Sequence, residues 1–237
     1  MKDILKRVYG KSREEYYSTL AEDMRDGKKR FVITANPEIL VMSEKDGEIE
    51  KMLNDPDVSI IPDGIAVVKA ARMLDIPVTE RIAGVETAEF LLSEADRQQK
   101  KVYLFGASRE VVTALADKIA VDYPRIVLSG FCDGYTADKD GIFEEIEAIS
   151  PDVCLVALGV PAQEKLIYKH IGRFEKGIFV GVGGSFDVLS GAKKRAPEFF
   201  LKHNIEWLYR IVKEPKRLKR FFDNNVKFLF KIKRASK

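Results

Sequence analysis

Histidine and cysteine are scarce in these 237 residues, with two of each. His170 and His203 lie far apart, and Cys132 and Cys154 lack the spacing of metal ligands. A histidine or thiolate metal centre is therefore not expected, no Ser–His–Asp set suggests itself, and the thiols read as reduced and structural. Neither a P-loop of the G-x-x-x-x-G-K-[ST] type nor an N-terminal G-x-G-x-x-G fingerprint is present. No apolar run approaches the roughly 20 residues that would span a bilayer. The charged N-terminal stretch, Met1-Lys-Asp-Ile-Leu-Lys-Arg7, does not read as a secretory signal, so a cytoplasmic location is the expectation. No cofactor and no metal clamp for a diphosphate are expected.

What the chain has in excess is positive charge at one end. Residues 192–237 carry 15 Lys/Arg against 4 Asp/Glu, whereas residues 1–191 carry 25 against 33. A basic segment on an acidic body calls for an anionic partner. Within it, Leu218, Phe222, Val226, Leu229 and Ile232 recur at helical spacing, flanked by Phe221 and Phe228. Lys216, Arg220, Lys227, Lys231 and Arg234 fall on the opposite side of the wheel. Such a helix suits an anionic membrane surface, lying in the interface rather than crossing it. Packing of the same stripe on the protein's own body is the competing reading. Nucleic acid is disfavoured as a partner, because the phenylalanines lie away from the charges. The expected partition is a core over residues 1–191 and an appendage over 192–237.

Short, continuously apolar segments alternate with helical ones in the first part. Phe31–Thr34, Val58–Ile61, Val102–Phe105, Ile126–Leu128, Asp152–Leu158 and Ile178–Val180 read as strands, and Arg13–Gly27, Val67–Leu74 and Arg109–Asp122 as helices. Strands without polar alternation point to a parallel sheet covered on both faces, an α/β Rossmann-like fold. Ligands bind such sheets at the carboxyl ends of the strands. Thr34, Asn36, Asp63, Gly106, Asp133, Gln163, Gly183 and Ser185 all fall at those ends.

Asp63, between Pro62 and Gly64, can be aimed into a cleft as a general base, with helix capping or an Asx turn as the alternative. Gly181-Val-Gly183-Gly184-Ser185 offers backbone N–H groups to a phosphate, and tight strand–helix packing explains the same glycines. Gln163 can hydrogen-bond a base or sugar hydroxyl, while Glu164 and Lys165 read as the start of a helix. Thr34 and Asn36 are either polar pocket residues or N-caps. Arg81 pairs with a phosphate or with a surface carboxylate.

In order along the chain, Thr34-Ala-Asn-Pro-Glu-Ile39, Ile61-Pro-Asp-Gly64, Glu80-Arg-Ile-Ala-Gly84, Val102-Tyr-Leu-Phe-Gly106, Val156-Ala-Leu-Gly-Val-Pro-Ala-Gln-Glu-Lys165, Gly181-Val-Gly-Gly-Ser-Phe-Asp187, Arg195-Ala-Pro197 and Glu206-Trp-Leu-Tyr-Arg210 resemble the bacterial TagA/WecG/CpsF glycosyltransferase family. The resemblance covers roughly residues 30–222. It implies an inverting, metal-independent transferase at the inner face of the membrane. The implied donor is a UDP-sugar, usually UDP-N-acetylmannosamine or its uronate. The implied acceptor is a polyprenyl-diphosphate-linked sugar on the way to a cell-surface polymer such as teichoic acid or exopolysaccharide. The family's proposed base aligns with Asp63, its pocket residues with Thr34, Asn36, Arg81 and Gln163, and the arginines that its membrane-contacting C-terminal appendage supplies to the active site with Arg210, Arg217 and Arg220. Members self-associate near the appendage, so a homo-oligomer is compatible with the resemblance. Transfer of glucose or another hexose, a nucleotide-dependent oxidoreductase and a non-enzymatic membrane adaptor stand as alternatives.

Overall fold

Each apolar segment becomes a strand because both of its faces find a hydrophobic layer. The computed structural model describes residues 1–203, 205–213, 215, 218–219 and 222–235. The strands among them are β1 (Lys29–Ala35), β2 (Val58–Pro62), β3 (Lys101–Gly106), β4 (Val127–Cys132), β5 (Val153–Ala157) and β6 (Gly177–Gly181). They form one sheet in the order β2-β1-β6-β5-β3-β4, and every pairing is parallel.

The helices are α1 (Lys2–Arg7), α2 (Arg13–Asp26), α3 (Pro37–Met42), α4 (Gly47–Asn54), α5 (Ile65–Met73), α6 (Gly84–Gln98), α7 (Arg109–Asp122), α8 (Lys139–Ile149), α9 (Ala162–His170), α10 (Ser185–Leu189), α11 (Glu198–Lys202), α12 (Glu206–Lys213) and α13 (Lys227–Ala235). Successive strand residues point to opposite faces. Phe31, Ile33, Tyr103, Phe105, Cys154 and Val156 thus join α1, α3, α4, α5, α8 and α9 in one core layer. Val32, Val102, Leu104, Leu155 and Val180 join α2, α6, α7 and α10 in the other. The Rossmann-like α/β expectation holds.

Local signals account for several boundaries. Gly27 closes α2 in the left-handed conformation, and Asn36 caps α3 ahead of Pro37. The longest helix, α6, escapes the sequence reading because Ala83 precedes it and supplies no side-chain cap. Strand β4 runs on to Cys132, beyond the expected Leu128. Its register against β3 shifts between Val102 and Tyr103. There Gly130 lies under the Tyr103 ring, which a Cβ would meet at 2.5 Å. A glycine that looks like a strand end is here a bulge that lets the edge strand continue.

The basic tail packs in part on the body, the competing reading of its apolar stripe. Its apolar stripe does not form a single face on an isolated helix. A π-type turn at Phe222–Val226 precedes α13, and the wider turn rotates the face that follows. Phe228 and Ile232 are 0% and 2% exposed and belong to the first core layer, where α13 meets α5. Lys231 pairs with Glu44 of the body. Leu218, Phe222 and Phe230 remain exposed. The end of the chain is therefore docked, and only part of its apolar surface is left for another partner. Phe228→Ala should lower the unfolding free energy by about 3–5 kcal/mol. Phe230→Ala should change it by less than about 0.5 kcal/mol; equal effects in urea titrations would contradict the docked helix.

Candidate functional site

The strands end level with one another. Ala35 pairs with Pro62, Ile33 and Val156 with Gly181, Gly106 with Ala157, and Phe105 with Cys132. Thr34 and Gly106 lie at the ends of β1 and β3, and the loops and helix starts just beyond these pairs hold the other residues singled out in the sequence. The helices after β5 and β3 go to opposite faces, as do those after β1 and β6. Crevices open at such switches.

Asp63 follows β2, and its backbone N–H donates to Ala35 O at 2.9 Å. Its Oδ1 accepts from Gly84 N at 3.0 Å, the first residue of α6. Asp63 therefore caps a helix, but one that begins 21 residues later rather than the helix that follows it. The same loop is pinned a second time, Ile82 N donating to Pro62 O at 2.9 Å. A half-exposed carboxylate is thus held in one orientation at the strand edge.

Arg81, in that loop, lies 3.5 Å from Glu86 and 3.8 Å from Glu206 of α12. Glu86 also takes Arg195 at 2.7 Å and Arg13 at 3.4 Å, and Arg195 reaches Glu89 at 3.2 Å. This network joins the start of the appendage to α6 beside Asp63. The carboxylate alternative for Arg81 is realised in this state. Arg210 lies in α12, but its side chain, and Arg217 and Arg220 altogether, fall outside the described residues.

Thr34 is buried and donates from Oγ1 to Gly181 O at 2.9 Å, tying β1 to β6. Asn36 Oδ1 accepts from Glu38 N at 2.9 Å and Ile39 N at 3.2 Å, so it acts as an N-cap. Ser185 opens α10 and donates to Val182 O at 2.7 Å. Helix α10 has only five residues, and so short a helix carries little dipole. Gly184 precedes it. Gly106 sits at φ 127°, where a Cβ would collide with the Ala157 carbonyl. It permits the close approach of β3 and β5. Next to it a cavity of about 230 Å³ is lined by Ala107, Gly134, Tyr135, Lys139, Leu158 and Ala162. A larger groove of about 520 Å³ lies between α6, α7 and α10, with none of these edge residues in its wall.

Gln163 is 1% exposed. Its Oε1 accepts from Gly183 N at 2.9 Å and Gly159 N at 3.1 Å, and its Nε2 donates to Glu164 Oε1 at 2.7 Å. Glu164 is 0% exposed, and its Oε2 has no hydrogen-bond partner among the described residues. Burial pushes its carboxyl up to about 7, opposed by the Gln163 bond and assisted by the nearby charge of Glu38. Sequence reasoning missed this residue, because an acidic side chain in a helix's first turn is commonplace on a surface. Lys165, by contrast, pairs with Asp46 and Glu48, each at 2.7 Å.

The chain contains two Asp-x-Asp triplets, Asp55–Asp57 and Asp138–Asp140, a pattern that the absence of an expected metal clamp had left out of account. Both are engaged in other ways. Asp55 accepts from Tyr168 at 2.8 Å and from Asp57 N at 3.0 Å. Asp138 caps α8, while Asp140 pairs with Lys169 and His170. No group of three or more His, Cys, Asp or Glu that could hold a metal ion occurs among the described residues.

A wholly parallel six-stranded sheet with its polar residues gathered on the carboxyl edge defines a Rossmann-like α/β protein. The chain belongs to the Glycosyl transferase WecG/TagA/CpsF family, whose profile matches residues 3–237. It is thus a glycosyltransferase. A Bacillus spizizenii N-acetylglucosaminyldiphosphoundecaprenol N-acetyl-beta-D-mannosaminyltransferase is 39% identical over 88% of this chain and 82% of its own. A Bacillus subtilis protein of the same name is 39% identical over 80% of this chain and 73% of its own. A Staphylococcus aureus one is 36% identical over 87% of this chain and 81% of its own.

The Glu164 carboxyl makes a signed prediction. With a folded value near 7 against an ordinary 4.5, the unfolded chain releases this proton first as pH rises. The native state therefore loses stability between about pH 4.5 and 7, by up to about 3 kcal/mol, and the loss levels off above. Urea unfolding of the wild type and Glu164→Gln at pH 5 and 8 should show the variant gaining relative stability at pH 8. A difference independent of pH would contradict the buried, neutral carboxyl.

Proposed function

We propose that this chain transfers N-acetylmannosamine from a UDP-sugar to a polyprenyl-diphosphate-linked N-acetylglucosamine, with inversion and without a metal ion. The acceptor and the transferred sugar follow the names of the relatives. A β-linked product from an α-linked nucleotide sugar requires inversion. The single observation that carries the mechanism is the Asp63 carboxylate, fixed by Gly84 N–H at the carboxyl edge and adjoining the loop that holds Arg81. In this reading Asp63 takes the proton of the acceptor hydroxyl as its oxygen attacks the anomeric carbon. The bond from that carbon to the diphosphate breaks, and UDP leaves with the electron pair. Cations must then stabilise the departing diphosphate. Arg81 is the candidate on the body, exchanging Glu86 and Glu206 for phosphate oxygens. Arg210, Arg217 and Arg220 are the candidates on the appendage, since guanidinium groups bind phosphate bidentately. Thr34, Asn36, Gly106, Gln163, Gly183, Gly184 and Ser185 would shape the donor pocket.

The acceptor's lipid places the reaction at a membrane surface, the inner face of the cell membrane in this reading. No described helix is long and apolar enough to cross a membrane. Exposed Phe199, Trp207, Leu208, Val212, Leu218, Phe222 and Phe230 in the basic appendage support peripheral contact instead. A homo-oligomer is compatible with this arrangement.

Three experiments test the reading. UDP release from a panel of UDP-sugars, in EDTA, should depend on the lipid-linked acceptor and be greatest with the N-acetylmannosamine donor. Asp63→Asn keeps an oxygen for Gly84 N–H and should lower transfer by about 10²–10⁴-fold while leaving UDP binding in place; normal turnover would remove Asp63 as the base. Trp207 is the sole tryptophan. Its emission should shift to the blue with anionic vesicles and much less with zwitterionic ones, the difference shrinking as salt rises.

A further inference from the structure

Burying a carboxyl beside an amide, with one oxygen unmatched, is a costly way to begin a helix. A leucine would fill the Glu164 site without that cost. What leucine cannot do is accept a hydrogen bond from Gln163. The Gln163 amide faces a choice between two orientations related by a half-turn. In the one present, its oxygen receives Gly159 N–H and Gly183 N–H, and its nitrogen donates to Glu164. In the other, the NH₂ group would confront two backbone donors, and the Gln163 nitrogen would lose Glu164 as its acceptor. Glu164 is the acceptor that selects the first.

The two N–H groups belong to different loops. Gly159 follows β5 and Gly183 follows β6, and these strands are neighbours. The amide oxygen is therefore a clamp between the loops on either side of one crevice. A Cβ on Gly181 would stand 2.8 Å from Gln163 Nε2, so the amide is also packed tightly against β6. We propose that Glu164 is a positioning residue of the transferase: it fixes the orientation of the Gln163 amide and thereby sets the spacing of the Gly159 and Gly183 loops that bound the donor's nucleotide. The inference rests on the transferase reading only for the identity of that ligand.

Glu164→Leu removes the acceptor, whereas Glu164→Gln retains one. Amide hydrogen exchange at Gly159 and Gly183 should accelerate in Glu164→Leu and stay near wild type in Glu164→Gln. UDP affinity, measured by calorimetry, should fall about five- to tenfold in Glu164→Leu and be restored in Glu164→Gln. Because Glu164 acts through Gln163, Glu164→Leu should add nothing to the loss caused by Gln163→Leu. Unchanged exchange at both glycines, or full additivity in that cycle, overturns the proposal. If Glu164→Leu does not fold, the Gln163 side-chain NH₂ in the wild-type chain decides by NMR. Protected protons support the pair, and exchange at solvent rates overturns it. Failure of UDP to bind the wild type would overturn the functional reading and leave the exchange result standing.

Discussion

Both faces of the sheet are covered, and from that constraint the placement of chemistry follows. Residues along β1, β3, β5 and β6 alternate between two hydrophobic layers, which leaves these strands little room for polar side chains short of their ends. Parallel pairing brings all six carboxyl ends to one edge. The polar residues of the site then gather at and just beyond Ala35, Pro62, Gly106, Cys132, Ala157 and Gly181. The site is where the layers stop.

At that edge the polar side chains mostly hold one another's loops. Thr34 bonds the end of β6, Asn36 caps α3, Asp63 caps α6, and Gln163 joins the loops after β5 and β6. Capping and chemistry are not exclusive for such groups. A carboxylate that spends one oxygen on a backbone N–H is oriented by it, which is what a base needs. Arg81 shows the same economy from the other side, since its present carboxylate partners keep a cation at the edge.

The appendage is more closely tied to the body than its composition suggests. Phe228 and Ile232 enter the core, and Arg195 and Glu206 join the network around Glu86 and Arg81. The apolar side chains that remain outside, among them Phe199, Val212 and Phe230, are the ones left for another surface. Such an arrangement would let one segment both complete the body and meet a lipid surface, with no independent domain required.

Strand composition was enough to establish the layered parallel sheet, because runs such as Val153–Ala157 are apolar on both alternating faces and demand two covers. The glycines and Asp63 could be assigned to strand ends for the same reason, and the ordered motifs sufficed for the family. Pairings between distant segments were not legible. The cap of α6 comes from Asp63, which no local pattern announces. The bulge before Gly130 is evident only from its register against β3, and the Tyr103 ring over Gly130 leaves no room for a Cβ there. Phe228 is core and Phe230 is surface because α13 turns one face to α5, and residues two apart on a helix point to opposite sides. Glu164 looks like an ordinary first-turn acid until packing closes over it and raises its proton affinity. Periodicity and composition act locally and so can be read along the chain. Burial, capping across space and charge networks depend on which segments meet, and that is decided only when the layers assemble.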